Sequence, residues 1–467
     1  MRKAQVLFIW LLVQCMACTL YARGDAAVSE PVKKILLRSV TFGGNKITKA
    51  AIIAREMNIH AGDSLVVQDV EYLLEFNKRR ILNLQLFSRV EYCIDAWDDT
   101  GIDVVYEVNE ILYWLPAPIF SLADRNFNVW WIEEGRRLDR TNIGFELTRI
   151  NFRGRDERIN ILVQLGYNKL FNLSYRIPYI DKRLRYGFNA GLTYATGREI
   201  NYETDSNKLL FYANEHYPYR RLQARVGTSY RKAYVAVHDL QLSYNHFGIS
   251  EELQQKNNDY LGGTLRADYL EWMYNYQFNN TDARVYPTKG MEIRANAVYR
   301  GFSFTAGDIN QLAVMGDASW YKPLSRLFSV ALAGRARFSV GAQQPYFMNR
   351  AMGFRADYLR GYEYYVIDGS HFAMGRTNVR MRIIDRVITQ RIVPLMTYIP
   401  FRVYVKSFHD IGYVYNKFPG NSYLNNRLLN GYGVGVDIVV SYYARFRIEY
   451  SFNHLGEKGL FLHGSKE

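Results

Sequence analysis

The sequence predicts a small α+β domain followed by an all-β transmembrane barrel of about 16 antiparallel strands. The chain has 467 residues and is rich in aromatic side chains, with 38 tyrosines and 26 phenylalanines. Beyond the N-terminus it lacks the run of about 20 apolar residues that a membrane-spanning helix needs. Apolar and polar residues instead alternate through residues 141–467. At roughly 20 residues per strand and connection, this region accommodates an even number of barrel strands.

The N-terminus has the features of a secretory signal peptide, assigned to residues 1–24. Met1-Arg2-Lys3 precedes an apolar run at residues 4–13 and a stretch of small residues. The mature protein is therefore expected to leave the cytoplasm. Two of the three cysteines lie in this segment, which leaves Cys93. The mature chain then has neither an intramolecular disulfide nor a cysteine metal site.

Residues 34–110 predict a compact domain with the element order β-α-α-β-β. The pattern gives a strand at 35–42, helices at 48–57 and 67–82, and strands at 87–92 and 101–108. Its F-x-G-N-K, L-F-x-x-V and V-x-E motifs resemble those of a polypeptide-transport-associated (POTRA) domain. A small α+β domain of other purpose is the alternative interpretation.

Residues 111–140 are interpreted as a connector, because Pro116 and Pro118 disfavour regular structure. The barrel is assigned to 141–467. A soluble β-sandwich also alternates apolar and polar residues. The barrel is favoured because the alternation has no domain break, tyrosines cluster near strand ends, and short and long connections alternate.

A long polar insert between two predicted strands, residues 341–375, carries the sequence Leu359-Arg360-Gly361-Tyr362. Downstream, Val403 and Val405 are expected to face lipid. Side chains alternate along a strand, so Asp410 and Gly412 then face the lumen. We therefore expect Arg360 to pair with Asp410. The predicted loop-barrel latch consists of Arg360, Gly361, Tyr362, Asp410 and Gly412. The alternative is a solvated Arg360 and an Asp410 that merely ends a strand.

The LRGY loop and the F-H-D-I-G strand resemble motifs of the BamA/TamA-like outer-membrane assembly barrels. The turns at residues 175–179 (YRIPY) and 286–290 (YPTKG) add to the resemblance, which covers nearly all of the mature chain. It implies a barrel in the bacterial outer membrane, a POTRA domain in the periplasm, and insertion or translocation of other proteins without a cofactor. Implied partners are the lipid bilayer, unfolded outer-membrane or surface proteins, and possible periplasmic or lipoprotein partners.

The sequence departs from the family pattern at two places. Family members usually present an acidic residue to the loop arginine from the strand after the loop, where this chain has Arg380. They also commonly end on an aromatic residue, whereas this chain ends in Ser465-Lys466-Glu467.

The last strand, predicted at residues 459–464, is short and flanked by glycines. We expect it to close weakly against the first barrel strand, predicted at 142–151, where related barrels are thought to open sideways. The predicted lateral seam places Ile143 and Phe145 opposite Leu460 and Phe461. A frayed terminus is the alternative.

Known catalytic motifs are absent from the sequence, so no enzyme, metal site or cofactor is predicted. The net charge of +14 lacks the motifs of nucleic-acid binding. The alternative functions are a pore for anionic solutes and a structural partner barrel in a larger complex. The pore interpretation rests on the arginines predicted to face the lumen, at positions Arg294, Arg335, Arg337, Arg382, Arg402, Arg445 and Arg447.

Overall fold

The structure is a computed structural model that describes residues 33–122, 130, 135–231, 235–302, 309–341, 344–354, 357–389, 398–440 and 444–466. The predicted signal peptide, residues 1–24, lies outside these ranges. No helix in the described part of the chain is long and apolar enough to cross a membrane.

The N-terminal domain is a four-stranded sheet with two helices. The strand order is β2-β1-β4-β3, with β1 parallel to β4 and the other pairs antiparallel. The short strand β2 is an addition to the predicted order. The elements are β1 (Lys34–Gly43), α1 (Ala50–Ala54), β2 (Ser64–Val66), α2 (Val70–Asn83), β3 (Phe87–Asp98) and β4 (Gly101–Glu110).

The first helix of this domain is shorter than the sequence predicts. Lys49 occupies the N-cap of α1, and no side chain caps the helix. Thr48, the expected cap, instead donates its backbone N–H to Glu110 Oε1 at 2.6 Å. Its hydroxyl hydrogen-bonds Tyr113 at 2.8 Å. Thr48 therefore ties the domain to the start of the barrel instead of beginning a helix.

The core of the N-terminal domain continues into the barrel. Fully buried side chains such as Leu37, Leu74 and Tyr106 form its centre. Tyr113, Ile150 and Tyr179, from the adjacent end of the barrel, belong to the same cluster. Burying one large apolar side chain contributes about 1.5–3 kcal/mol. The domain therefore docks firmly on the rim of the barrel.

The remainder of the chain forms a 16-stranded antiparallel sheet, as predicted. Exposed apolar residues such as Leu332 and Phe338 alternate with buried Ser329 and Ser339. The sheet curls around a lumen, since the Tyr286 hydroxyl near one wall reaches Asp437 on another at 2.8 Å.

In chain order the first seven strands of this large sheet are β5 (Trp114–Leu122), β6 (Thr141–Ile150), β7 (Arg158–Gly166), β8 (Asn168–Ile177), β9 (Tyr186–Gly197), β12 (Tyr219–Tyr230) and β13 (Ala236–Ile249). They are followed by β14 (Arg266–Asn279), β15 (Gly290–Gly301), β16 (Gln311–Pro323), β17 (Phe328–Gly341), β20 (His371–Thr389), β21 (Tyr398–Tyr415), β22 (Leu428–Val440), β23 (Ala444–Asn453) and β24 (Lys458–Lys466).

The assignment of residues 111–140 as a connector, with the barrel starting at 141, is wrong. β5 lies within that range and pairs with β6 without interruption, from Trp114 opposite Arg149 to Leu122 opposite Thr141. Proline lacks an N–H donor and is tolerated on an edge strand when its nitrogen faces away from the partner. Pro116 and Pro118 are two residues apart, so both nitrogens face the same side. We infer that this is the free side of β5.

The predicted seam strand is also wrong. β6 is paired on both sides, with β5 and with β7, so it is not an edge of the sheet. Ile143 lies opposite Phe120 and Leu165. Phe145 is likewise in this interior strand, opposite Pro118. The two ends of the sheet are β5 and β24, and these strands are not paired in the described structure. The closed barrel expected from the sequence therefore remains open along one seam.

Two smaller hairpins lie outside the large sheet. One is formed by β10 (Glu199–Asp205) and β11 (Lys208–Ala213), and the other by β18 (Arg350–Met352) and β19 (Ile367–Asp368). A short helix, α3 (Glu251–Lys256), follows β13. Asn207, at the tip of the first hairpin, donates to the Val366 carbonyl at 3.1 Å and to the Ser422 hydroxyl at 2.7 Å. The hairpin therefore covers the loop between β17 and β20 at the end of the barrel opposite the N-terminal domain.

Candidate functional site

The structure brings Arg360 and Asp410 together inside the lumen. Both residues are buried, with 2% and 0% of their surfaces exposed. Arg360 Nε donates to Asp410 Oδ2 at 2.8 Å, and Nη2 donates to Asp410 Oδ1. The guanidinium also lies 3.9 Å from the centre of the Phe408 ring. A bidentate contact of this kind fixes both position and orientation. The loop is therefore held against the wall at β21.

Two glycines allow the loop backbone to approach the wall. Gly361 has φ +92°, and a Cβ there would lie 2.7 Å from the Phe452 carbonyl oxygen on β23. A Cβ on Gly431 of β22 would lie 1.9 Å from the Arg360 carbonyl oxygen. Glycine alone adopts this backbone region readily and leaves the space open. The approach of the loop to β22 and β23 therefore depends on both glycines.

Tyr362 and Gly412, the other predicted latch residues, also contact this region. The Tyr362 hydroxyl donates to the Asn430 carbonyl at 3.1 Å and hydrogen-bonds His454 Nδ1. At Gly412, a Cβ would lie 3.1 Å from Met352 Cε, so the side chains of the loop pack directly over this position. The five predicted residues thus lie at one contact between the loop and strands β21–β23.

Sequence reasoning missed two partners of Arg360. Its Nη1 donates to Asn378 Oδ1 at 2.7 Å and to Glu449 Oε1 at 3.1 Å. Asn378, on β20, stands where the family pattern suggested an acidic residue, and Glu449 on β23 supplies a second carboxylate. Alternation alone assigns residues to a face without showing which strands meet the loop tip. Glu449 also faces inward by the alternation around it, which is the signal that was available.

The sequence places Arg380 at the position from which family members present an acidic residue to the loop arginine, but in the structure Arg380 does not contact Arg360. Arg380 Nη1 donates to the Pro287 carbonyl at 2.9 Å, and its guanidinium lies 4.5 Å from the centre of the Tyr286 ring. Both partners belong to the turn between β14 and β15. Arg380 therefore holds that turn inside the lumen, two residues along β20 from the contact made by Asn378.

The latch continues into a buried charge network. Lys406 Nζ lies 2.8 Å from Asp437 Oδ1 and 2.8 Å from Glu449 Oε1. Arg447 Nε approaches the same Asp437 oxygen at 3.1 Å. Buried charges are tolerated when they are paired and hydrogen-bonded in this way. The network therefore connects the loop to β21, β22 and β23.

The predicted seam residues occupy two different places. Leu460 and Phe461 lie on β24, which is an edge of the sheet. Leu460 is exposed on the outer face, whereas Phe461 is buried, with its ring 5.4 Å from that of Tyr364. Ile143 and Phe145 are exposed on the outer face of β6, away from the seam.

A second contact region joins the N-terminal domain to the barrel. Arg231, which follows β12, donates to both oxygens of Glu56, at 2.5 and 2.8 Å. Arg55 donates to the carbonyls of Leu184 and Arg231 and lies 4.7 Å from the centre of the Tyr179 ring. This junction lies at the entrance to the lumen.

The lumen between the latch and the wall is strongly basic. It contains a cavity of about 540 Å³. The arginines that line it are Arg284, Arg294, Arg335, Arg360, Arg376, Arg380, Arg445 and Arg447. Of the arginines predicted to face the lumen, Arg294, Arg335, Arg445 and Arg447 are among them. Among groups of histidine, cysteine and carboxylate residues in the described ranges, none has the arrangement of a metal site.

An α+β domain docked on a 16-stranded barrel, with a loop latched in the lumen, defines the class of outer-membrane barrels that insert or translocate proteins. Residues 151–458 match the Omp85 superfamily domain, and residues 35–111 match the POTRA family described as a surface antigen variable number repeat. The chain belongs to the Omp85 superfamily, whose members handle protein clients in the outer membrane with the POTRA domain in the periplasm.

One of the similar solved structures supports this fold. BamA from Haemophilus ducreyi lacking POTRA domains 1–3 is 15% identical, with a TM-score of 0.52, over 93% of this chain and 85% of that chain. CdiB from Acinetobacter baumannii is 11% identical over 92% and 73% of the two chains, with a TM-score of 0.48. CdiB from Escherichia coli is 9% identical over 96% and 92%, also with a TM-score of 0.48. A comparison with curated protein sequences found no match.

Proposed function

We propose that this protein inserts or translocates other outer-membrane or surface proteins by opening sideways between β5 and β24. The observation that carries the proposal is the unpaired seam between these two strands. Pro116 and Pro118 on β5 leave that edge without two N–H donors. Each missing ladder bond removes roughly 0.5–1.5 kcal/mol of net stabilisation. A seam of this composition opens at lower cost than a fully paired one.

The POTRA domain is proposed to capture the client. β3 is an edge strand of its sheet, with the unpaired side available for an added strand. An extended segment that pairs there gains main-chain hydrogen bonds without a strict sequence requirement. The domain is docked on the entrance to the lumen through Glu56 and Arg231, so a bound segment lies close to the barrel. The latch is proposed to keep β21–β23 in place while the seam opens.

A disulfide across the seam tests the proposal. In a Cys93→Ser background, Phe120→Cys on β5 is combined with Leu460→Cys or Leu462→Cys on β24, which scans the register. These three side chains are exposed on the outer face. We expect oxidation to abolish client assembly and reduction to restore it. Client assembly is measured as the amounts of other outer-membrane proteins in cells depleted of the unaltered protein. Complete crosslinking with unchanged client assembly would exclude lateral opening.

The matched control locks a ladder that is already paired. Phe120 lies directly opposite Ile143 on β6, so Phe120→Cys with Ile143→Cys crosslinks β5 without touching the seam. This pair is expected to leave client assembly intact under the same oxidation. Loss of activity in both pairs would indicate that oxidation damages the protein in another way.

A second candidate function is a pore for anionic solutes, favoured by the arginine lining of the 540 Å³ cavity. A pore conducts through its lumen, and a lock at the seam leaves that path unchanged. Single-channel conductance that persists in the seam-locked protein, together with unchanged client assembly, would favour the pore. The locked variant therefore separates the two functions.

A further inference from the structure

A cleft of about 200 Å³ lies between the POTRA domain and the barrel wall. The end of α2 forms one side of it, with Arg80 and Asn83, and the barrel wall forms the other. Four arginines line its barrel side. Arg231 pairs with Glu56, and we call the other three, Arg158, Arg176 and Arg284, the arginine cleft. Arg284 also lines the larger lumen cavity that reaches Arg360. The arginine cleft therefore adjoins the basic lumen cavity, with Arg284 between the two.

The three guanidinium groups are poorly matched by acidic residues. Arg158 has one carboxylate within ion-pair distance, that of Asp156 at 3.4 Å. In the described ranges, no carboxylate lies within ion-pair distance of Arg176 or Arg284. Asp239 faces Arg176 from farther away, and Glu292, the next acidic neighbour of Arg284, pairs with Arg294 at 2.9 Å. The arginine cleft therefore carries an excess of positive charge.

The arrangement also opposes folding locally. Arg158 on β7 and Arg176 on β8 are direct cross-strand partners, a position where like charges are destabilising. Arg158 Nε is buried and lacks a hydrogen-bond partner within the described structure. Desolvation, followed by the charges of Arg158 and Arg176, lowers the pKa of Arg284. Three neighbouring cations, one of them with an unused buried donor, are arranged as a binding site for an anion.

We propose that the arginine cleft binds carboxylate groups of an extended client polypeptide as it passes from the POTRA domain into the lumen. This inference rests on the proposed function. A polypeptide is favoured over a lipid because the cleft lies between the domain proposed to capture the client and the lumen cavity, which Arg284 also lines. The carboxylates are supplied by acidic side chains or by the C-terminus of the client.

Binding of short peptides to the purified full-length protein in detergent tests the inference. A fluorescent peptide rich in glutamate is compared with the same peptide carrying glutamine, each with a free or an amidated C-terminus, by fluorescence anisotropy. We expect the glutamate peptide with a free C-terminus to bind at least about tenfold more tightly than the amidated glutamine peptide, because only the former offers carboxylates for charge-assisted hydrogen bonds. The other two peptides are the amidated glutamate peptide and the glutamine peptide with a free C-terminus. They show whether side chains or the C-terminus supply the carboxylate, and either result supports the proposal.

Variants place the binding in the arginine cleft. Arg176→Gln combined with Arg284→Gln is expected to lose at least about tenfold in affinity for the preferred peptide. Arg225→Gln is the matched control, because Arg225 lies on β12 beside Gly191 and outside the cleft. It is expected to bind as the unchanged protein does. The thermal midpoint of each variant verifies that it is folded.

Three results would overturn the inference. The first is equal binding of the glutamate and glutamine peptides, and the second is an equal loss in the control variant. The third is binding of anionic phospholipid vesicles, but not of peptides, in a manner that depends on Arg176 and Arg284, which would make the cleft a lipid site. Peptide binding in detergent does not require lateral opening. A failure here is therefore distinct from a failure of the seam-lock experiment.

Discussion

The latch and the arginine cleft are both charged regions of one lumen, but they balance charge differently. The latch network pairs Arg360, Lys406 and Arg447 closely with Asp410, Asp437 and Glu449, and Arg376 lies 3.7 Å from Asp410 at its edge. All three carboxylates are almost completely buried. The desolvation of a buried charge is offset only when partners stay in place, so such a network holds its strands in one arrangement.

The arginine cleft shows the opposite balance. Three guanidinium groups share one carboxylate within ion-pair distance, and Arg176 and Arg284 are exposed to the lumen. Both side chains keep exposed surface, so water offsets part of the mismatch, although Arg284 is partly desolvated. The comparison indicates that a closely paired buried network supports the fold, whereas cations with few carboxylate partners can still bind an anion.

The largest expected effect comes from breaking the latch. Arg360→Ala removes the bidentate partner of the buried Asp410 and leaves it only Arg376, at 3.7 Å. Removing one partner of a buried pair typically costs about 3–5 kcal/mol. Asp410→Ala is expected to have a similar cost, and the double variant less than the sum, because both single changes remove the same contact. The measurement is the temperature at which the folded protein loses its characteristic gel mobility.

A half-buried pair on the same lumen wall provides the control. Arg335 lies 2.9 Å from Asp317 and also pairs with Asp357 of the loop, and all three side chains are partly exposed. Arg335→Ala is expected to cost about 0.2–1 kcal/mol, as for solvated ion pairs. Strictly additive effects of Arg360→Ala and Asp410→Ala would contradict the assignment of the pair as the latch.

Glu363 gives the latch region a predicted pH dependence. Burial, with the nearby charges of Glu449 and Asp410, raises the pKa of Glu363 to about 8. The unfolded chain releases this proton near pH 4.3, so between about pH 5 and 8 only the folded state holds it. Stability therefore falls as pH rises through this range, by at most about 1.4 kcal/mol per pH unit, and levels off above pH 8.

Glu363→Gln removes this titration. The variant is expected to show a flatter dependence of gel-mobility midpoint on pH between about 5 and 8 than the unchanged protein. Glu71→Gln, at an exposed position of α2, serves as the control and is expected to keep the original slope. A Glu363→Gln slope equal to that of the control would show that this carboxyl group is not protonated in the folded state.

The sequence predicted the latch because its signals are local. Alternation along β21 places Lys406 and Asp410 on the inner face and Val405 on the outer face, and the structure has this arrangement. An arginine beside a glycine in a polar insert then needs a carboxylate. Glu449 could not be identified in the same way, because its contact with Arg360 depends on how far β23 is shifted relative to β21 across the sheet.

The start of the barrel was missed for a related reason. Pro116 and Pro118 argue against a strand with partners on both sides, and the sequence does not show that β5 has only one. The 16-stranded count was predicted correctly, although its first strand was assigned to the connector. The free edge of the sheet was therefore predicted on β6, where Ile143 and Phe145 lie, instead of on β5.

The smallest expected effect is a gain in stability. It tests whether the excess positive charge of the arginine cleft destabilises the folded protein. Arg176→Gln removes one of two like charges that face each other across β7 and β8. We expect it to raise the gel-mobility midpoint, by an amount corresponding to about 0.2–1 kcal/mol, and to raise it less at high salt, where screening already weakens the repulsion. Arg225→Gln, which faces Gly191 and Ser243 instead of a charge, is expected to leave the midpoint unchanged. A lower midpoint for Arg176→Gln would mean that Asp239 or another neighbour already balances this arginine, and the excess charge attributed to the cleft would then be absent.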